Sequence, residues 1–159
     1  MSKFFKLPED KIIIDRNELC EICNTIGKSI VFTNGCFDLL HMGHLSTLYA
    51  ASKEGDILVV AVNTDESVKR LKGESRPINK LNDRMMMLAA IECVDYVCPF
   101  SEDTPLELIK QLKPNIIVKG GDYTPEQVVG YGYANVVTVP FIDGKSTTNT
   151  INEIGATKK

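Results

Sequence analysis

The sequence predicts an α/β fold built on a doubly wound parallel sheet in a single domain, and three observations lead there. Short β-branched runs alternate with amphipathic stretches through most of the chain, which is the signature of β-α-β units. Two of the runs, ILVV and NIIV, are apolar on consecutive residues, as strands covered on both faces must be. A length of 159 residues suits one core, since a typical domain holds about 100–150.

The elements follow in order. Strands are expected at SIVFTN (29–34), ILVVAVN (57–63), VDYVCPF (94–100), NIIVKG (115–120) and VVTVPF (136–141). Helical periodicity occupies 43–54, 65–71, 80–91, 104–112 and 147–154. An earlier stretch, ELCEICNTIGK, reads as a helix with Leu19, Ile22, Cys23 and Ile26 on its apolar face. The expected division is an N-terminal extension with a helix over 1–27, the main domain over 28–154, and a tail over 155–159.

Composition excludes several classes of function. Hydrophobic residues make up 43% and charged residues 25%, the balance of a globular protein rather than a disordered one. A net charge of −3 without a basic stripe argues against a nucleic-acid partner. No apolar run approaches the roughly 18 residues that span a bilayer, and MSKFFKLPEDK lacks the apolar core of a signal peptide, so no membrane partner and a cytoplasmic location are expected. The five cysteines sit in apolar or helical stretches and read as reduced, buried thiols.

In open α/β sheets ligands bind beyond the carboxyl ends of the strands. The loop after the first strand, FTNGCFDLLHMGH (32–44), holds both histidines of the chain, His41 and His44. HLSTLYAASKEG then continues as a helix with Leu45, Leu48 and Ala51 inward. Residues three apart share a helix face, so both imidazoles can enter one volume at the positive end of that helix, where backbone N–H groups already favour a phosphate. Zinc would need further ligands that the chain does not offer, so no metal ligand is assigned.

GCFDLLHMGH resembles the HxGH motif of the cytidylyltransferase-like nucleotidyltransferases, which join a nucleotide to a phosphorylated small molecule. Three further stretches in the same order, NTDESVKRLKGESRPINKLNDR (63–84), FSEDTPLELIKQLKPNIIVKGGDYTPEQVVG (100–130) and DGKSTTNTINEI (143–154), are similar to the members that form ADP-heptose from D-glycero-D-manno-heptose 1-phosphate for lipopolysaccharide. The resemblance covers residues 28–154 and implies a Rossmann-like fold, in agreement with the alternation of elements.

It also implies a reaction in which the sugar-phosphate oxygen attacks the α-phosphorus of ATP and pyrophosphate leaves. The attacking group is already an anion, so positioning and charge neutralisation suffice without a general base. His41 and His44 would donate to the phosphates, with Lys72 as their cationic companion. Asn34, Gly35, Phe37, Gly43, Arg84, Gly120, Asp122, Ser146, Thr147 and Thr148 would surround the nucleotide. Asp38, Lys69 and Arg76 would face the sugar phosphate. Mg²⁺ would be held mainly by phosphate oxygens and water. A homodimer and a separate heptose kinase supplying the acceptor complete the expectation. The alternatives are a cytidylyltransferase acting on glycerol 3-phosphate or a similar polyol phosphate, a GDP-heptose-forming variant, and a non-catalytic ATP-sensing module.

Overall fold

A computed structural model describes residues 6–156; residues 1–5 of the expected extension and 157–159 of the expected tail lie outside it. Helix α1 (Arg16–Ile26) starts on Asp15, whose carboxylate accepts from the Asn17 N–H, and stops at Gly27 in the left-handed conformation. Then come β1 (Ile30–Gly35), α2 (Met42–Ser52), β2 (Ile57–Asn63), α3 (Asp65–Lys72), α4 (Leu81–Ala89), β3 (Tyr96–Phe100), α5 (Leu106–Leu112), β4 (Ile116–Gly120), β5 (Asn135–Val139) and α6 (Thr147–Ala156). All five strand regions and the helical periodicity reappear to within a few residues. The stretch from 64 to 90 holds two helices separated by the basic loop at 73–80.

All strand pairings are parallel, in the order β3-β2-β1-β4-β5. The order reverses between β1 and β4, and the crevice above their carboxyl ends is where such sheets bind ligands. Two apolar layers flank the sheet. One joins Leu19, Cys20 and Cys23 of α1 and Leu108, Ile109 and Leu112 of α5 to Phe32, Ala61 and Ile117. The other joins Leu48 and Ala51 of α2 and Met85 and Leu88 of α4 to Val31, Val60 and Val118. Thus neighbouring residues of one strand serve opposite layers, which explains the unbroken apolar runs.

The helix within the 1–27 extension therefore contributes to the core. The preceding segment serves β3, an edge strand containing Pro99: Ile12 bridges to Val97, and the Ile13 N–H donates to the Val97 carbonyl at 2.9 Å. Covering an edge removes a row of unpaired backbone groups from contact with other chains. Leu45, expected inward on α2, is 39% exposed, because the buried stripe centres on Leu48 and Ala51 and leaves Leu45 at its margin. No disulfide is present and Cys20, Cys23 and Cys98 are buried; burial pushes the Cys23 thiol up to about 11 and Cys98 to about 12, which keeps both protonated. Among the described residues no helix is long and apolar enough to cross a membrane.

Candidate active site

The crevice at the strand reversal is a cleft of two joined compartments, with volumes of about 300 and 500 Å³. Asn34, Gly35, Phe37, His41, His44, Lys72, Lys119 and Ser146 line both and form the seam between them. The smaller compartment adds Gly120, Gly121, Tyr123 and Phe141, a flat, partly aromatic wall. The larger adds polar groups, among them Arg76, Asp103, Thr104, Thr147 and Thr148.

His41 is the N-cap of α2, and its Nδ1 accepts from the Gly43 N–H at 3.1 Å. That bond fixes the tautomer: Nδ1 is the acceptor, so in the neutral ring Nε2 carries the proton and donates. One turn on, His44 stacks on His41 with ring centroids 3.8 Å apart, and Phe37 backs it at 5.1 Å. Phe37 reaches that position with φ 48°, a left-handed backbone that a non-glycine residue adopts at a cost of about 1 kcal/mol or more. Nδ1 of His44 is buried and has no hydrogen-bond partner among the described residues, a condition that native folds concentrate at functional sites. Burial lowers the pKa of His41. Burial first, and then the neighbouring His41, bring His44 down to about 4. At neutral pH both rings are therefore neutral donors.

Gly43 owes its place to this pair. A Cβ there would stand 2.9 Å from both Cε1 and Nδ1 of His41, so any side chain would displace the ring. Its backbone lies outside the positive-φ region, and steric room rather than backbone freedom explains the glycine between the histidines. Gly120 is similarly confined, since a Cβ would meet Thr47 Oγ1 at 2.5 Å.

Residues 32–147 match the cytidylyltransferase-like family. The chain belongs to that family. This cytidylyltransferase-like chain is 56% identical over 146 residues to the bifunctional protein HldE of Campylobacter fetus subsp. fetus, covering 91% of this chain and 32% of that one. It is 54% identical over 151 residues to the bifunctional protein HldE of Helicobacter hepaticus, covering 94% and 31%. The chain thus spans about a third of the length of these relatives. Among solved structures it is similar to a lipopolysaccharide core biosynthesis protein from Thermoplasma volcanium, with TM-score 0.60, 29% identity, and coverage of 73% of this chain and 98% of that one. It shares its fold with pantoate-β-alanine ligase from Francisella tularensis at TM-score 0.61, with 20% identity over 81% of this chain and 66% of that one.

The cleft of this cytidylyltransferase-like chain gathers most of the residues singled out in the sequence, Asp38 among them, and three, Arg84, Lys69 and Asp122, are placed differently. Arg84, expected near the nucleotide, has a fully buried side chain. Its Nε donates to the Asn79 carbonyl, Nη1 to the carbonyls of Cys36 and Asn63, and Nη2 to Asp65, at 2.7–3.0 Å. The guanidinium ties three loops together and faces no compartment. Asp38, expected beside the sugar phosphate, lies in the wall of the larger compartment with its carboxylate already engaged: its oxygens accept from Arg76 Nε at 2.7 Å and from the Ile78 and Asn79 N–H groups at 2.9 Å. Burial would raise its pKa, but the two backbone donors and Arg76 outweigh it and hold the carboxylate below its usual range. Lys69 on α3 and Asp122 after β4 are both exposed, and neither lines a compartment.

The three hydroxyls at the start of α6 divide their work. Ser146 Oγ accepts from the Asn149 N–H and keeps its own O–H free to donate. Thr147 Oγ1 donates to the Leu39 carbonyl, tying α6 to the histidine loop. Thr148 lines the larger compartment. The residues overlooked in the sequence are Lys119, Tyr123 and Phe141. For Lys119 there was a signal, a lysine ending a strand buried on both faces; the aromatic pair falls in loops whose path the sequence does not reveal. Among the described residues no cluster of three or more histidine, cysteine, aspartate or glutamate side chains could hold a metal ion.

Proposed function

We propose that the chain transfers AMP from ATP to D-glycero-D-manno-heptose 1-phosphate, giving ADP-heptose and pyrophosphate. The observation that carries the transfer chemistry is the stacked neutral histidine pair on the N-terminus of α2, in the seam of a two-compartment cleft. The four sequence stretches that resemble heptose adenylyltransferases favour this acceptor, as does similarity to HldE proteins and to a lipopolysaccharide core biosynthesis protein.

The smaller compartment takes the adenosine, with Gly121, Tyr123 and Phe141 along a flat base. The α-phosphate lies in the seam. There the His41 and His44 N–H groups and the α2 N-terminus face the oxygens on which charge builds as the acceptor attacks. Each such donor is worth about 3 kcal/mol when aimed at the transition state. Ser146, Thr148 and Lys72 meet the β- and γ-phosphates and release them as pyrophosphate. The acceptor's 1-phosphate occupies the larger compartment beside Arg76, whose Nε is fixed by Asp38. Mg²⁺ fits this donor set only as an ion carried by the phosphates, where it neutralises their charge. The acceptor itself must come from a sugar kinase reaction. A homodimer belongs to the same reading, supported by the exposed apolar row Met42, Leu45 and Tyr49 along α2; sedimentation at the monomer mass alone would remove it.

Pyrophosphate release tests the function, with ATP, CTP and GTP each paired with both anomers of heptose 1-phosphate and with glycerol 3-phosphate. Release confined to ATP with a heptose 1-phosphate is expected. Turnover of CTP with glycerol 3-phosphate instead would assign a polyol-phosphate cytidylyltransferase, and binding of ATP with no release in any pairing would assign a sensing module.

A further inference from the structure

The carboxylates around the cleft are already matched with arginines: Asp38 with Arg76, Asp65 with Arg84, and Asp103 with Arg70. Lys119 has no such counter-charge. It ends β4, lines both compartments, and its ammonium makes no hydrogen bond or ion pair with any described residue. A half-buried cation without a partner is costly to a fold, and the cost is tolerated where a ligand supplies the missing charge.

Strand alternation fixes the side from which Lys119 enters. Ile117 belongs to the apolar layer under α1 and α5, and Val118 to the layer under α2 and α4. Lys119 therefore leaves the sheet on the α5 side, as Ile117 does. The histidine pair comes from α2, on the opposite face. The start of α6 lies with the histidines, since Thr147 donates to Leu39 and the Lys145 carbonyl lies 3.5 Å from where a Cβ on Gly43 would be. Of the donors proposed for the triphosphate, the histidines and the α6 hydroxyls thus stand on the α2 side with Lys119 across from them, while Lys72 comes from α3 and lies near Lys119. Displacement at phosphorus is in line, with the attacking and leaving oxygens on opposite sides of the reacting atom.

We propose that Lys119 is the cation that holds the phosphate of the attacking acceptor, and that it makes the enzyme require a phosphomonoester rather than a free sugar. The assignment rests on the nucleotidyl-transfer reading above and names the residue that selects the acceptor in that site. Burial lowers the pKa of Lys119 and nearby Lys72 adds to the effect, consistent with an ammonium that lacks an anion until the acceptor binds.

The test compares the whole chain with Lys119→Met, which keeps the aliphatic length, and with Lys119→Arg, which keeps the charge. Pyrophosphate release gives the KM values, and calorimetry with α,β-methylene ATP gives nucleotide affinity. In Lys119→Met the KM for heptose 1-phosphate is expected to rise about tenfold to a hundredfold, the usual effect of losing a charged contact. ATP KM and analogue affinity should stay within about twofold, and Lys119→Arg should recover most of the loss. Should the Met variant not fold, Lys119→Gln replaces it with the same expectation. An acceptor KM that does not move, or an ATP analogue weakened as much as the acceptor, would overturn the assignment while wild-type turnover left the function intact. A wild-type protein inert with every acceptor would overturn both.

Discussion

Replacing Arg84 with Met separates a structural guanidinium from a phosphate ligand. In the structure Arg84 spends its nitrogens on the carbonyls of Cys36, Asn63 and Asn79 and on Asp65, and its side chain has no exposure. Methionine fills much of the volume but leaves three carbonyls and a carboxylate without their donor. Removing one partner of a buried, hydrogen-bonded charge costs about 3–5 kcal/mol, and water can reach part of Asp65, whose side chain is 22% exposed, so about 4 kcal/mol is expected here. With an unfolding entropy of about 2.1 cal/mol/K per residue over 159 residues, that lowers Tm by about 12 °C. Lysine recovers little, since a compact ammonium cannot reach acceptors spread over three loops. The assay is thermal unfolding by calorimetry, with α,β-methylene ATP binding measured well below the transition. A Tm within about 2 °C of wild type, together with a tenfold or greater loss of analogue affinity, would refute the reasoning and return Arg84 to the phosphates.

Three further outcomes are expected. Gly43→Ala should displace the His41 ring and lower kcat by about a hundredfold while Tm changes little, read from pyrophosphate release and calorimetry; an unaltered kcat would mean that the ring's placement is immaterial. For His44 the folded pKa of about 4 lies below the unfolded value of about 6.5, so the unfolded chain takes up a proton first: stability is full above about pH 6.5 and falls by up to about 3 kcal/mol as pH drops towards 4, measurable by urea unfolding, and kcat/KM should show no histidine limb near 6.5. Asp38→Asn should cost about 2–3 kcal/mol in urea unfolding, because an amide NH₂ would oppose the donors of Arg76, Ile78 or Asn79; a smaller loss accompanied by a raised acceptor KM would show that Asp38 meets the sugar phosphate directly.

The parts of the molecule legible in the sequence are those written in local pattern. Parallel strands covered on both faces require unbroken apolar runs, so ILVV and NIIV declared themselves, and the paired histidines marked the first strand end. What stayed hidden depends on contacts between distant segments. Arg84 sits in LNDRMMMLAA, where an arginine reads as a solvent-facing helix residue, and only the convergence of acceptors from 36, 63, 65 and 79 explains its burial. Asp38 reads as a polar loop residue until the basic loop folds back over it. Lys119 reads as a strand terminus, and its meaning emerges only when the carboxylates around it prove to be taken. The bridge of Ile12 to β3 is not legible in the sequence, since the apolar run at 12–14 is too short to show a period.

The division between neutral and charged donors in the cleft follows from what each can contribute to rate. In the proposed reaction a phosphate attacks a triphosphate and brings anions together, and fixed cations such as Lys72 and Lys119 would offset that repulsion. Cations that hold ground state and transition state alike improve KM without raising kcat. Acceleration needs donors whose interaction strengthens as charge builds on the α-phosphate oxygens, set in a desolvated wall where they cannot reorient. The stacked rings satisfy that requirement as long as they remain neutral. Two protonated imidazoles 3.8 Å apart would repel each other and would bind the substrate phosphates tightly before any chemistry took place. Burial of His44 against Phe37 prevents this by holding its pKa near 4, and the strained backbone of Phe37 is the local cost of building that wall.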